Sequence, residues 1–260
     1  MATGTIQFKT EEEIDLMRAA GQLLARVHGE VATLVREGVT TRQLDRRAEE
    51  FIRDNGATPS FKGYNNFPYS LCLSPNSVVV HGFATDEPLK GGDILSVDAG
   101  VYLNGYHADS AYTYPIGEVA PEVHLLLTET EAALYKGIEQ AISGNRVGDI
   151  SFAIQNYIAP KGYGVVRELV GHGVGARLHE KPEVPNYGKR GSGPLLQTGM
   201  TLAIEPMVTL GKKEVVQEKD GWTIRTRDKK PAAHFEHTVV VRKDKAEILT
   251  SFEYIEKALK

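Results

Sequence analysis

Along the chain, stretches in which hydrophobic residues recur at helical spacing alternate with stretches that follow a strand pattern. Apolar residues return every three or four positions from 11 to 35 and again from 44 to 52, which predicts two amphipathic helices. Thr40, followed three residues later by Gln43, is typical of the capping box that begins a helix. The β-rich segments SVVVHG, DILSVDAG and HADSAYTY come next, so we expect a helix pair followed by strands.

The second half of the chain repeats this order. Helical spacing at 121–141 and 150–158 predicts another helix pair, and MTLAIEP, EVVQEKDGWTIRT and HFEHTVVVR predict hairpins, the second with a two-residue Asp220-Gly221 turn. The two short helices correspond at a constant offset of 106 residues. We therefore expect an α+β fold with one domain, 1–260, made of similar halves at roughly 11–118 and 119–250. A cleft between the halves would be a natural site.

Composition and charge narrow the class of protein. Hydrophobic residues make up 41% of 260, which excludes a disordered chain, and the net charge of −4 is not that of a protein built to read nucleic acid. No segment approaches the about 20 apolar residues of a membrane span, and the start MATGTIQFKTEEE lacks the pattern of a secretory signal. Cys72 is the single cysteine, so no internal disulfide forms and a reducing compartment is favoured. The sequence predicts a cytoplasmic protein without membrane contact.

Two aspartates mark the first candidate site. Asn104-Gly105 between alternating residues predicts a tight hairpin, which would place Gly100 opposite Asp109 and Asp98 opposite Ala111. The two carboxylates would then lie on one face of adjacent strands, with Cβ atoms about 7 Å apart or less. Without a cation such a pair would repel, and one member would stay protonated.

Three further segments add chemistry of the same kind. His172 lies between glycines in GHGVG, Glu205 ends the apolar strand TLAIEP, and Glu236 precedes the apolar run of HFEHTVVV. A glutamate on a core strand needs a partner. Together with the two aspartates they form four carboxylates and one imidazole, a set that suits Mn, Fe, Co or Zn, and bridging carboxylates suit two ions.

These residues stand in motifs that closely resemble the type I methionine aminopeptidases, metallopeptidases with the pita-bread fold. The motifs VVVHG, SVDAG, HADSAYTY, ELVGHGVGARLHEKP, LAIEPM and FEHTVVV occur in family order, and the resemblance extends from 11 to 250. It implies two pseudo-symmetric halves with a central antiparallel sheet covered by helices. It also implies removal of the initiator methionine from nascent chains whose second residue is small, as in the Met1-Ala2 start of this chain.

The resemblance assigns roles to individual residues. Two divalent ions would be held by Asp98, Asp109, His172, Glu205 and Glu236, with Asp109 and Glu236 bridging and Asp98 chelating one ion. His81 would contact the substrate near the scissile amide, and His179 would stabilise the carbonyl oxygen as it becomes an oxyanion. Glu205 is our choice for the general base and later proton donor, because it would be both a ligand and a neighbour of the attacking water. One ion would also hold the free α-amine.

Specificity is expected from an apolar wall for the methionine side chain. The residues that match the family positions of this wall are Tyr64, Phe67, Cys72, Leu178 and Trp222. A thioether packs well among aromatic edges. The chain departs from a common family form at two places, since Leu178 stands where many members carry Phe, and Phe61 where some carry Cys.

Other interpretations remain open from the sequence. Only 25 residues separate His179 from Glu205, too few for the type II insertion, and no Cys/His-rich extension precedes the chain, so the pattern is bacterial-type. The alternatives are an Xaa-Pro aminopeptidase or prolidase of the same fold, and a metal-free binding module. A monomer is expected. A cluster of basic residues offers a transient contact with the ribosome: Lys212, Lys213, Arg225, Arg227, Lys229 and Lys230.

Overall fold

Helix pairs and groups of strands follow one another in the predicted order. The computed structural model describes residues 5–260, so Met1-Ala2 lies outside the described residues. The helices are α1 (Glu11–Ala32), α2 (Thr41–Asp54), α3 (Pro121–Ile138), α4 (Val147–Ile158) and α5 (Glu253–Ala258), with 3-10 turns at Tyr64–Asn66 and Ala159–Lys161. Among residues 5–260, none of the helices combines the length and the apolar character needed to cross a membrane.

Capping explains where the first two helices begin. Thr10 with Glu13, and Thr40 with Gln43, each form a reciprocal capping box that satisfies backbone N–H groups of the first turn. The predicted capping box is therefore confirmed. Helix α1 ends at Ala32, three residues before the predicted end.

The strands are short except for one long hairpin. They are β1 (Thr58–Pro59), β2 (Leu71–Pro75), β3 (Val78–Val80), β4 (Ile94–Leu103), β5 (Tyr106–Pro115), β6 (Gly164–Val165), β7 (Gly171–Gly173), β8 (Glu180–Val184), β9 (Thr201–Ile204), β10 (Met207–Thr209), β11 (Val215–Gln217), β12 (Ile224–Thr226), β13 (Ala232–His234), β14 (Glu236–Val240) and β15 (Glu247–Ile248). The sequence did not predict β2, β7 and β8. Strand β7 is short and glycine-rich, β8 combines charged residues with a proline, and β2 ends in Ser-Pro, so none has the apolar, β-branched pattern of the predicted strands.

The central sheet that residues 5–260 form is antiparallel and has nine strands. Its order is β1-β4-β5-β14-β9-β7-β8, with β2 also paired to β4 and β15 to β14. The β4–β5 hairpin turns at Asn104-Gly105, where φ is 52° and 90°, so Leu103 pairs with Tyr106 as predicted. Helix α1 packs against β4 and β5.

The predicted Asp220-Gly221 turn is wrong in its length. Strands β11 and β12 do form a hairpin, but the backbone pair that closes it is Glu218 with Thr223, so the loop has four residues. The physical reason is the Asp220 carboxylate, which accepts hydrogen bonds from the backbone N–H groups of Trp222 and Thr223 and from the Thr223 hydroxyl. The loop wraps around this side chain rather than turning tightly.

The two helix pairs keep the offset of 106 residues. Helices α2 and α4 begin at 41 and 147, and the glycines that flank them at 38, 56, 144 and 162 all have positive φ. Leu44 of α2 and Ile150 of α4 are fully buried in the same hydrophobic cluster. These observations support the division into halves at roughly 11–118 and 119–250, which stays a prediction.

Candidate metal centre and cleft

Strand pairing brings carboxylates from distant segments onto one face of the central sheet. Residues paired directly across antiparallel strands project to the same side. Asp98 pairs with Ala111, and Ala111 pairs in turn with Glu236. Asp109 precedes Ala111 by two residues and therefore shares this face. The small side chain of Ala111 leaves the space between Asp98 and Glu236 open.

A second row on the same face supplies the imidazole. His172 pairs with Ala203, which pairs with Thr238 on the other side. Glu205 follows directly after β9, two residues beyond Ala203. The Thr238 hydroxyl donates to the carbonyl of Asp109 at 2.8 Å and accepts from its N–H at 3.0 Å. These two hydrogen bonds fix the row that contains His172 relative to the row that contains Asp98 and Glu236.

The five predicted ligand residues line one cleft, and their polar atoms approach one another. Ligand atoms of Asp109, His172 and Glu236 lie within 4.8 Å of one another. His172 Nε2 is 3.8 Å from Asp109 Oδ2 and 3.6 Å from Glu205 Oε1. Because His172 Nδ1 lies 2.9 Å from the carbonyl of Gly173 and donates to it, the Nε2 lone pair faces the carboxylates. This is the orientation that a metal-ligating histidine needs.

Three of the four carboxylates each have a buried oxygen whose hydrogen-bonding capacity the described residues leave unused. Among the described residues, Asp98 Oδ1, Asp109 Oδ1 and Glu236 Oε1 are buried and have no hydrogen-bond partner. Burial, and then the neighbouring carboxylates, raise the pKa values of Asp98, Glu205 and Glu236 well above the usual range. Burial raises the pKa of Asp109 to about 7. Divalent cations would satisfy these oxygens, so the donor set fits a metal centre.

Two further histidines line the same cleft. His81 follows β3 and has φ 58°, an uncommon backbone conformation for a residue with a side chain. His179 Nδ1 is 2.8 Å from the hydroxyl of Tyr64, and its ring lies 4.1 Å from the ring of His172. Burial lowers the pKa of His81 to about 4 and that of His179 to about 3, so both rings are neutral near pH 7.

The remaining wall of the cleft is apolar. Phe67, Cys72 and Leu178 are buried and pack with Phe61, and Trp222 meets the Phe67 ring edge-on at 5.0 Å. Tyr64 is 37% exposed. The structure thus brings all five predicted wall residues to a cleft of about 1200 Å³ that also contains the carboxylates.

Sequence reasoning missed one histidine close to this centre. His234 is buried, its Nε2 is 3.7 Å from Glu205 Oε2, and within the described chain neither ring nitrogen has a hydrogen-bond partner. A signal was present, because His234 stands two residues before Glu236, the spacing that keeps side chains on one side of a strand. His107, which also lines the cleft, carried the same signal, because it stands two residues before Asp109 on β5.

Comparison with known proteins identifies the family. The model of metallopeptidase family M24 matches residues 15–243. The chain belongs to metallopeptidase family M24. Its M24 relatives include the methionine aminopeptidase of Clostridium perfringens, 51% identical over 245 residues that cover 94% of this chain and 98% of that protein. Methionine aminopeptidase 1 of Bacillus subtilis is 49% identical over 242 residues, covering 93% and 98%.

Solved structures confirm the M24 fold. The methionine aminopeptidase of Rickettsia prowazekii superimposes with a TM-score of 0.94 at 42% identity, covering 95% of this chain and 100% of that chain. A prolidase from Pyrococcus furiosus gives a TM-score of 0.78 at 24% identity and is covered over 65% of its length, so that likeness shows the fold alone. The predicted resemblance and the pita-bread α+β fold, with its central antiparallel sheet, are both confirmed.

Proposed function

We propose that this protein is a methionyl aminopeptidase, a metallo-exopeptidase that removes the initiator methionine from nascent polypeptides when the second residue is small. The observation that carries the proposal is a single cleft in which a buried carboxylate–imidazole cluster lies beside an apolar aromatic wall. Relatives of high identity bear the corresponding name. The cluster supports hydrolysis, and the wall supports selection of a long apolar side chain.

The proposed cofactor is a pair of divalent ions, Co, Mn, Fe or Zn. Five residues would hold them: Asp98, Asp109, His172, Glu205 and Glu236. Such ions would supply a nucleophilic water at neutral pH and positive charge for the substrate's carbonyl oxygen and α-amine. The partnerless carboxylate oxygens support this assignment.

The side chains around the cluster would move and stabilise charge. The Glu205 carboxylate would take a proton from the attacking water and return it to the leaving amine. If the Tyr64 hydroxyl donates to His179 Nδ1, the neutral ring carries its proton on Nε2 and can donate to the developing oxyanion. His81, also neutral, would contact the scissile amide from the side of Trp222, whose ring lies 5.9 Å away.

The apolar wall would select methionine. Phe67, Cys72 and Leu178 exclude water from the pocket, and Tyr64 and Trp222 border it. Leu178 is smaller than the Phe that is common in the family, so the outline of this pocket is proposed for this chain alone.

The test is a hydrolysis panel. The purified chain, stripped with chelator and reloaded anaerobically with one metal at a time, is offered Met-Ala-Ser, Leu-Ala-Ser and Ala-Pro. Metal-dependent release of methionine from the first peptide, with little cleavage of the others, is expected. Cleavage of Ala-Pro alone would favour the prolidase alternative, and no metal uptake would favour a binding module. Asp109→Asn, which removes a proposed bridging ligand, is the matched inactive control.

A contact with the ribosome is a separate proposal. Lys212, Lys213 and Arg227, together with Glu214, surround a surface pocket of about 510 Å³ that shares no lining residue with the cleft. A basic surface would attract ribosomal RNA. Because the proposed substrates are nascent chains, the protein would act in the cytoplasm. It would act there as a monomer. Cosedimentation with ribosomes should fall with added salt and with Lys212→Glu plus Arg227→Glu. Binding that ignores both changes would contradict this proposal, and gel filtration tests the monomer.

A further inference from the structure

An ion pair buried next to the cleft is not used by the proposed mechanism. Lys9 Nζ lies 2.7 Å from Glu180 Oε2, and the two side chains are only 5% and 4% exposed. By contrast, the Arg47–Glu30 pair on the helices leaves its side chains 36% and 31% exposed. Removing two charges from water is costly, so a pair this deeply buried needs further partners to be stable.

Glu180 finds its second partner in the loop that carries His179. Its Oε1 accepts a hydrogen bond from the backbone N–H of Arg177 at 3.1 Å, while Oε2 binds Lys9. The residue itself pairs with Gly173 at the start of β8. The carboxylate therefore closes the segment 174–179, which holds both His179 and Leu178 over the cleft.

The backbone of Lys9 is fixed to the strands of the metal centre. Its N–H donates to the carbonyl of Gly199 at 2.8 Å, and the N–H of Gly199 donates to the carbonyl of Val241 at 3.1 Å. Gly199 leads into β9, which precedes Glu205, and Val241 directly follows β14, which begins at Glu236. Lys9 thus connects these two strands to the His179 loop.

The surrounding glycines leave space for the course of Lys9. A Cβ on Gly175 would come within 2.4 Å of Lys9 Cε, and a Cβ on Gly199 would come within 2.8 Å of the Lys9 carbonyl oxygen. Gly199 also has φ 88°, which favours glycine. At both ends of the lysine, a side chain would displace it.

We propose that Lys9 and Glu180 are positioning residues, which hold His179 and Leu178 in register with the carboxylates of β9 and β14. Lys9, which lies two residues before α1, is then part of the active-site scaffold. This inference rests on the proposed function for its effect on turnover, but not for its effect on the loop.

The test compares Lys9→Met and Glu180→Gln with the parent protein. Amide hydrogen exchange at Gly175 and Arg177, both donors inside the loop, reports loop order without any substrate. We expect faster exchange at these amides in both variants, and a fall in kcat of about 10- to 100-fold, the range typical when a supporting partner is lost. Lys9→Arg, which keeps the charge, should recover most of the protection and of kcat.

Ile255→Ala is the control for a general loss of stability, because Ile255 is fully buried in α5, which packs mainly against α1, and it does not line the cleft. It should lower the urea midpoint while leaving kcat and the exchange of Gly175 and Arg177 unchanged. If Lys9→Met does not fold, the isosteric Glu180→Gln still tests the inference. The inference would be overturned if amide exchange at Gly175 and Arg177 were unchanged in Glu180→Gln. It would also be overturned if Ile255→Ala showed the same faster exchange at these two amides as the Lys9 and Glu180 variants. A parent protein that fails to cleave Met-Ala-Ser would refute the proposed function and leave the exchange result standing.

Discussion

The carboxylate cluster and the apolar wall face the same cleft but contribute to stability with opposite sign. In the cluster, one buried oxygen each of Asp98, Asp109 and Glu236 has no hydrogen-bond partner among residues 5–260, and burial raises the pKa values of these groups. In the wall, Phe67 and Leu178 are 3% and 2% exposed and pack against other apolar groups. Burial of each such side chain contributes about 1.5–3 kcal/mol.

The difference shows which part of the cleft needs a bound ligand to satisfy its buried groups. The wall is complete as folded, because its atoms already have neighbours. The cluster would be complete only with the proposed cations. Without them its side chains are placed against their own electrostatic preference, and the rest of the fold holds them there. Substitutions in the two regions should therefore separate activity from stability.

Glu205→Gln should have the largest effect. Loss of the proposed general base and of a proposed metal ligand should lower kcat by about 10²- to 10⁴-fold. Because one buried carboxylate is neutralised, the metal-free variant should unfold at the same or a higher urea concentration than the parent. Kinetics on Met-Ala-Ser and urea titrations in chelator measure both. A variant that keeps its rate with both metals bound would refute the role of Glu205.

His179→Ala should have the next largest effect. Removing a donor to the oxyanion should lower kcat by about 10²- to 10³-fold with little change in KM. Tyr64→Phe removes only the hydroxyl that lies 2.8 Å from His179 Nδ1, so its loss should be smaller, about 10-fold. Equal losses in the two variants, or a loss in KM alone, would contradict this division of roles.

Leu178→Ala changes the apolar wall, so it should lower stability and weaken substrate binding together. The cavity left by a side chain that is 2% exposed should lower the free energy of unfolding by about 2–5 kcal/mol. KM for Met-Ala-Ser should rise by about 10-fold, since each methylene contact is worth 1–3 kcal/mol. Leu178→Met is the control of similar volume, for which both changes should be small.

The smallest effect concerns pH in the metal-free protein. Because the pKa of Asp109 is raised to about 7, the folded chain keeps a proton that the unfolded chain releases near its ordinary pKa of 3.8. The stabilisation of the folded state by this proton is fully present below the ordinary pKa of 3.8 and is lost as the pH rises toward 7. The free energy of unfolding then falls by up to about 1.4 kcal/mol per pH unit for each proton.

Urea titrations in chelator at pH 5, 6 and 7 measure this slope. The free energy of unfolding of Asp109→Asn should depend less steeply on pH than that of the parent. Divalent metal binds the folded state, so at a hundred times its Kd it should raise the parent's free energy of unfolding by about 2.7 kcal/mol and offset the loss at higher pH. A parent slope no steeper than that of Asp109→Asn would show that Asp109 does not retain its proton.

Local patterns predicted the elements that are long or carry a turn signal. The two helix pairs, the β4–β5 hairpin and its register followed from apolar spacing, capping residues and Asn104-Gly105, all of which act over a few positions. The strand at Gly171–Gly173 gave no pattern, and the Asp220 loop was misjudged because a side-chain carboxylate organises it. His234 went unnoticed because its importance depends on its distance to Glu205, 29 positions earlier.

The sequence by itself determined which residue types are available and in what order, and with them the family, the fold and the five candidate ligands. Only the tertiary structure decided that Asp98, Ala111 and Glu236 lie in one row, that His172 presents Nε2 to the carboxylates, and that Lys9 reaches Glu180 across 171 positions. Periodicity and capping depend on neighbours a few residues apart. A metal centre and a buried ion pair depend on atoms that lie 2.7–4.8 Å apart and that the chain brings together only when its sheet closes.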